Sequence, residues 1–505
     1  MKNLILLATL LLFAVVMQGV VYNHISDDAF ISFRYAHNLA NGNGLVFNTG
    51  EKVEGFSNLL WILLLFAIEK LGLASGPSGL LVPAKLVGMI CGLAGVGYAY
   101  EIGKLIKKEF KIRNDYFPFL VPALLASSLP FHFWAVSGLE TPLVVLAVLL
   151  FIKAAYRAYF QAGSKWWPPV LVLVISLLRP EGPLFLVPLF YLELKTNRPT
   201  IKNLLPFGLG FIMAYVLLIA GRLLYYGELL PNIFYTKTTG GWIQLLVGAK
   251  YFVTAAKNIG PVVFALALCS LLFWPLKKFH VFVLSTAGVY MLFVLVVGGD
   301  FMVMSRFIVH VLPAIVILAA LGLAGLVDID SLQSRMKATP LAKLILAKVL
   351  VLALVLPPIL FYYKELVKHG KQWTVPFSEF AMPYNEVIGY VNARVRKEPT
   401  VAVEQLGYFG YYTTWRIIDL HGLIDKTISR TPGSLHSKIN IKYVLSRKPD
   451  FVVTNSGGPG ARIESNFYNR RFLENPDFLK NYQQVLLNDW FVVFAAVQST
   501  VDLPR

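Results

Sequence analysis

Apolar runs of roughly 18 or more residues recur between Asn3 and Tyr363, each long enough to cross a hydrocarbon core about 30 Å thick. No water is available inside such a core, so each run must satisfy its own backbone polar groups and is read as a helix. Apolar residues make up 56% of the 505 and the mean hydropathy is +0.62, above what a soluble domain carries. After Tyr363 the long runs stop, and polar residues, prolines and short β-like segments take over. The predicted organisation is an α-helical polytopic membrane portion over residues 1–363 and a soluble α/β domain over 364–505.

The net charge of +18 would suit nucleic acid if it were spread over one surface, but it is gathered between the runs. Lys104, Lys107, Lys108, Lys111 and Arg113 form one cluster, and Lys195, Arg198 and Lys202 a second. Lys277 and Lys278 form a third, and Arg335, Lys337, Lys343 and Lys348 a fourth. Short basic segments beside spans mark the cytoplasmic side, so the charge orients the chain and no nucleic-acid partner is expected. With Lys2 inside, one threading of about eleven spans keeps every cluster on that side. It requires Leu59–Leu73 to be half-embedded, and it releases the tail on the extracytoplasmic side. Val15–Tyr22 lacks a small-x-small cleavage site, so the first run is expected to stay as a span. Cys91 and Cys269 both fall in predicted spans, which leaves the tail no disulfide and no CxxC-type metal site.

In this threading the acidic and unusual polar segments gather opposite the basic loops. The first outside loop, residues 23–57, opens on Asp27-Asp28; Ala29, Phe33, Ala36 and Ala40 then follow helical spacing. This predicts a short helix on the membrane surface, ended by the turn chemistry of Asn41-Gly42-Asn43-Gly44. Other outside turns carry SGLET at 137–141, RPEG at 179–182, YYGELLPN at 225–232, and GGD at 298–300 with Arg306 opening the next span. Charged groups at the edges of apolar segments are costly, and several on one face imply a single site near that surface. In the tail, Thr400–Glu404, Arg416–Leu420, Asp450–Thr454 and Trp490–Ala496 read as strands, with a helix over Leu406–Thr413. Gly457-Gly458-Pro459-Gly460 reads as a turn rather than a phosphate loop.

An acidic pair beside outside cations suits group transfer from a lipid-anchored donor. A carboxylate takes the proton of an acceptor hydroxyl, and cations neutralise a departing lipid phosphate. Asp27 and Asp28 are the candidate catalytic residues. Arg34, Arg179, Lys237, Arg306 and Lys85 are the candidate ligands of the donor phosphate. His37, Glu54, Glu140, Glu181, Tyr226, Asn232 and Asp300 are the candidate substrate contacts. No metal ligand set is evident, and Arg and Lys can neutralise a lipid monophosphate, so no cofactor or divalent cation is required.

The acidic pair in the first outside loop resembles the signature of GT-C-fold glycosyltransferases, which use polyprenyl-phosphate sugars. The whole stretch DDAFISFRYAHNLANGNGLVFNTGEKVEGFSNLLW is similar to the corresponding loop of the mycobacterial terminal arabinofuranosyltransferase family, AftB and its bacterial relatives. SGLET, RPEG, YYGELLPN, GGDFM with Arg306, and IIDLHGLID at 417–425 follow in the same order. The resemblance implies an arabinofuranose donor on a polyprenyl phosphate and a surface glycan or protein acceptor. It also implies a bacterial cytoplasmic membrane with the site and tail extracytoplasmic, Asp28 orienting a substrate, and Asp27 at the catalytic position, a general base if the reaction inverts and a group that stabilises or traps the glycosyl centre if it retains. The tail, placed over the site, is expected to bind or guide the acceptor.

Structural roles compete with each assignment. The two aspartates suit the start of a helix. Arg179 before Pro180 suits the end of a span, Lys237 an interfacial anchor, and Arg306 an ion pair with Asp300. Glu140 and Glu181 suit pairing with local cations, and His37 a polar contact. A GT-C mannosyltransferase or another lipid-linked hexose transferase is the alternative within the class. A transporter is the alternative outside it, although its charges would lie at mid-membrane.

Overall fold

The computed structural model describes residues 2–74, 76, 78–196, 201–237, 242–327, 360, 364, 375–395, 397–433 and 438–497. Six described helices are long and apolar enough to cross a membrane: Lys2–Val20, Leu81–Phe110, Thr141–Phe160, Lys202–Tyr226, Lys278–Val297 and Val303–Leu326. Two bent pairs, Phe117–Ala126 with Leu129–Ala135 and Trp242–Ile259 with Pro261–Phe273, turn through 61° and 102° and raise the number to 8 if each pair is one span. The chain is thus a multi-pass helical membrane protein. The cluster Arg335–Lys348 and most of the apolar stretch up to Tyr363 lie outside the described residues. The segment expected to be half-embedded forms the helix Leu59–Lys70, 12 residues long, which at about 1.5 Å per residue is too short for a full crossing.

Local chemistry explains several breaks. Pro206 removes a backbone donor within the span Lys202–Tyr226, and the chain absorbs the defect in a π-helical segment, Gly208–Met213. The helix Lys278–Val297 stops at Gly298, whose φ of +82° is the left-handed cap that glycine adopts without strain.

The described residues fall into two compact units that do not follow chain order. One draws on Met1–His24, Lys85–Leu217 and Gly241–Thr374; the other draws on Ile25–Ala84, Leu218–Gly240 and Val375–Arg505. The described residues of the first form helices and their connecting turns, and Val303–Leu326 is its axis, buried along its entire apolar window. Gly322 on that axis faces the carbonyl of Leu266, and Gly325 faces Phe273.

The second unit combines the first loop, the segment around YYGELLPN and the tail. A helix forms as the spacing predicts, over Asp27–Ala40, with Ala29, Phe33, Ala36 and Ala40 all buried. Asn41 is its C-cap, and Gly42 and Gly44 turn the chain away at φ of +80° and +86°. The tail builds a sheet of β1 (Thr400–Val403), β2 (Arg416–Asp419), β3 (Phe451–Asn455), β4 (Tyr482–Leu487) and β5 (Phe491–Ala496). Its order is β2-β1-β3-β5-β4. Strand β1 runs parallel to β2 and β3, and β5 runs antiparallel to β3 and β4. Helices pack on the core of this mixed sheet, which includes Ala402, Ile418, Val452, Phe472, Phe478 and Phe494.

A Cβ at position 322 would collide with the Leu266 carbonyl, so Gly322→Ala must push two helices of the first unit apart. The expected cost is about 1–3 kcal/mol, read as a lower thermal midpoint in detergent, whereas Gly288→Ala, which meets nothing within 4 Å, leaves the midpoint in place.

Candidate functional site

In the second unit the acidic pair opens the helix Asp27–Ala40, but neither aspartate caps it. Ser26 holds the N-cap position without a side-chain bond, and Asp27 and Asp28 occupy the first turn. Asp27 instead reaches the tail: its Oδ2 accepts from the amide of Gly407 at 2.9 Å and its Oδ1 from the amide of Tyr408 at 2.8 Å. Burial pushes its carboxyl up to about 6; Asp28 adds to the rise, while the two amides and the Tyr384 hydroxyl oppose it. A carboxylate has room for about four hydrogen bonds, so two amides and the Tyr384 hydroxyl orient Asp27 without exhausting it.

Arg34, two helical turns on, donates from Nε to the Phe47 carbonyl at 3.1 Å and from Nη1 to the Thr413 carbonyl at 3.0 Å. It is buried, and these bonds tie the first loop to the tail. His37 pairs with Glu69 at 2.6 Å. Glu54 pairs with Arg222 at 2.6 Å; burial raises its carboxyl and the guanidinium pulls it back. Tyr226 donates to the Leu45 carbonyl at 2.8 Å, and the Leu45 amide donates to Tyr225 at 3.0 Å. Asn232 donates to the carbonyls of Gly422 and Leu423 at 2.8 and 2.9 Å and accepts from Ser429. The YYGELLPN and IIDLHGLID motifs therefore meet. Asp419 shapes the second of them by accepting the amides of His421, Leu423 and Ile424. Its burial pushes its carboxyl up to about 7. Lys237 closes the short helix Asn232–Lys237.

In the first unit the SGLET, RPEG and GGDFM motifs converge. Arg179 donates from Nη1 to Glu140 at 3.1 Å and from Nε to Glu181 at 2.9 Å. The Tyr290 hydroxyl donates to the same Glu181 oxygen at 2.9 Å and lies 2.7 Å from His310 Nδ1. Arg306 grips Asp300 through Nε at 2.8 Å and Nη2 at 2.7 Å. Both guanidiniums lie against the Phe307 ring, at 5.0 and 5.8 Å from its centre, and Arg306 also lies over Trp134. Two cations thus meet three carboxylates, all buried or nearly so. Lys85 is held differently: its ammonium donates to the backbone carbonyls of Tyr22 at 2.5 Å and His24 at 2.8 Å.

The structure brings the predicted residues together in two sets: Asp27, Asp28, Arg34, His37, Glu54, Tyr226, Asn232 and Lys237 in the second unit, and Lys85, Glu140, Arg179, Glu181, Asp300 and Arg306 in the first. Sequence reasoning passed over Arg222, Tyr290 and His310. A lone arginine in the apolar run 214–226 was a signal for the first. Tyr290 and His310 lie within spans and carry no motif. Among the described residues no group of three or more His, Cys, Asp or Glu is placed to hold a metal ion.

A buried pair broken from one side leaves an uncompensated charge. Arg179→Met should therefore cost about 3–5 kcal/mol in detergent unfolding, and adding Glu140→Gln and Glu181→Gln should recover much of it. An unchanged midpoint with a weakened donor would instead make Arg179 a substrate ligand.

Comparison with known proteins extends this picture. A family model described as a domain of unknown function, DUF8728, matches residues 368–501. The terminal beta-(1->2)-arabinofuranosyltransferase of Mycobacterium tuberculosis is 30% identical over 246 residues, which cover 45% of this chain and 37% of that protein. The chain thus spans well under half of that relative's length. The crystal structure of ArnT from Cupriavidus metallidurans bound to undecaprenyl phosphate superposes with a TM-score of 0.57 at 12% identity, covering 99% of each chain. The archaeal oligosaccharyltransferase AglB from Archaeoglobus fulgidus, in complex with an inhibitory peptide and a dolichol-phosphate, gives 0.54 at 11% identity, covering 99% of this chain and 75% of that one. The fold is that of the GT-C class.

Proposed function

We propose that this chain, a membrane protein with the GT-C fold, is a glycosyltransferase that moves a sugar from a polyprenyl-phosphate donor to an extracytoplasmic glycan or protein. The observation that carries this reading is the oriented, half-buried Asp27 beside Asp28 on a helix of that fold. Arabinofuranose is the favoured sugar, supported by the 30% identity to an arabinofuranosyltransferase and by the loop that opens on Asp27.

In the proposed reaction the acceptor oxygen bonds to the anomeric carbon and the bond from that carbon to the phosphate oxygen breaks. The acceptor proton passes to Asp27, and the polyprenyl phosphate leaves with the bonding pair. Asp28 orients a substrate at the same helix end. Lys85 is a proposed phosphate ligand, its ammonium held by the carbonyls of Tyr22 and His24. Arg34 and Lys237 stand behind it, and Arg179 and Arg306 last, because carboxylates already compensate both. The remaining polar candidates, His37, Glu54, Glu140, Glu181, Tyr226, Asn232 and Asp300, then act chiefly by holding the loops in place.

The test is transfer by purified protein from radiolabelled polyprenyl-phosphoryl arabinofuranose or the mannose analogue. Transfer from the arabinose donor that Asp27→Asn abolishes is the expected outcome. Use of mannose alone would overturn the sugar, and binding of neither donor would favour a transporter. A base near pH 6 works only when deprotonated, so kcat/KM should fall as pH drops through about 6. Lys85→Met should raise the donor KM roughly tenfold or more, by loss of a charge-assisted contact, with the folded state retained.

A further inference from the structure

The helix Asp27–Ala40 contacts both ends of the short tail helix Gly407–Tyr412 through Asp27 and Arg34. Asp27 accepts the two amides that open the tail helix. Arg34 donates to the carbonyl of Thr413, the residue that closes it. Asp27 and Arg34 are seven residues apart and Gly407 and Thr413 six, about 10 Å and 9 Å along their axes, so the two contacts are in register. Their signs also match the tail helix, with an anion at its N-terminal amides and a cation at its C-terminal carbonyl. Between the contacts Phe30 packs on Tyr408 and Tyr412 at 5.3 and 5.7 Å, and Phe33 on Tyr411 at 5.6 Å.

The approach depends on glycine. A Cβ at 407 would run into the Asp27 carbonyl and lie 2.8 Å from its Oδ2, and a Cβ at 410 would run into the Phe47 ring. Neither glycine has a left-handed φ, so closeness, and not backbone conformation, is what excludes a side chain.

We infer that the C-terminal domain is a positioning element for the transfer step: Gly407 and Tyr408 hold the Asp27 carboxylate, and Arg34 with Thr413 holds the far end of the same clamp. This deepens the proposed function and rests on Asp27 being the catalytic carboxylate. The domain then acts on every turnover, whatever the acceptor, whereas an acceptor guide would matter only for long acceptors.

The experiment uses the full chain in detergent, with whichever donor the wild type uses and both a short arabinoside and a long glycan acceptor. Gly407→Ala is expected to lower kcat on the order of a hundredfold, as a misplacement of about 1 Å does, equally for both acceptors and with donor KM unchanged. Tyr482→Phe, which loses the bond to the Pro449 carbonyl far along the tail in sequence, lowers the unfolding midpoint but keeps kcat. If Gly407→Ala does not fold, Arg34→Gln releases the other end without inserting an atom and is expected to lower kcat with donor KM unchanged; a raised donor KM with kcat kept would make Arg34 a phosphate ligand and overturn the inference. A loss confined to long acceptors, or a wild-type kcat in the folded variant, overturns the inference. Full activity of Asp27→Asn overturns the catalytic reading instead. Amide exchange separates the two and needs no substrate: Asp27→Ala is expected to accelerate exchange at Gly407 and Tyr408, and unchanged exchange would refute the clamp itself.

Discussion

A charge removed from water must be given a partner, and the organisation of this protein follows from how each buried charge is given one. In the first unit the partners are other charges: Arg179 is shared between Glu140 and Glu181, and Arg306 is held by Asp300. In the second unit Asp27 and Arg34 are held by backbone amides and carbonyls, as is Lys85 in the first. The distinction has chemical weight. Ion pairing cancels a charge, while a backbone dipole orients it and leaves it available to a substrate.

The same requirement explains why the second unit is assembled from three distant stretches of chain. Asn232 reaches the turn after β2 through the carbonyls of Gly422 and Leu423. Tyr225 and Tyr226 grip the peptide groups of Leu45, and Asn48 exchanges bonds with Ile417 on β2. Each contact satisfies loop backbone that would otherwise be buried without partners. The result is a frame around the helix that begins at Asp27, which is the rigidity that a transfer site requires.

Much of this was legible in the sequence, for identifiable reasons. Long apolar runs and the period of Ala29, Phe33, Ala36 and Ala40 depend only on local spacing, and the spans and that helix followed. The strands expected at Thr400–Glu404, Arg416–Leu420, Asp450–Thr454 and Trp490–Ala496 occur within a residue of those bounds as β1, β2, β3 and β5. Strand β4 was missed because Tyr482–Leu487 lies at a sheet edge with a bulge between Gln484 and Leu486, so its burial does not alternate. The candidate charges were found because charge beside an apolar run is conspicuous. Their partners were not, since Asp27 meets residues 380 positions away and spacing carries no trace of that. Gly407 in particular reads as an ordinary small residue until the carboxylate beside it is seen.

The most direct measurement is the structure of the protein with a non-transferable polyprenyl-phosphonate sugar bound. The sugar's anomeric carbon is expected beside the Asp27 carboxylate, with the two tail amides still on that carboxylate. A sugar bound elsewhere, with Asp27 closed off by the tail and no room for an acceptor hydroxyl, would contradict that placement.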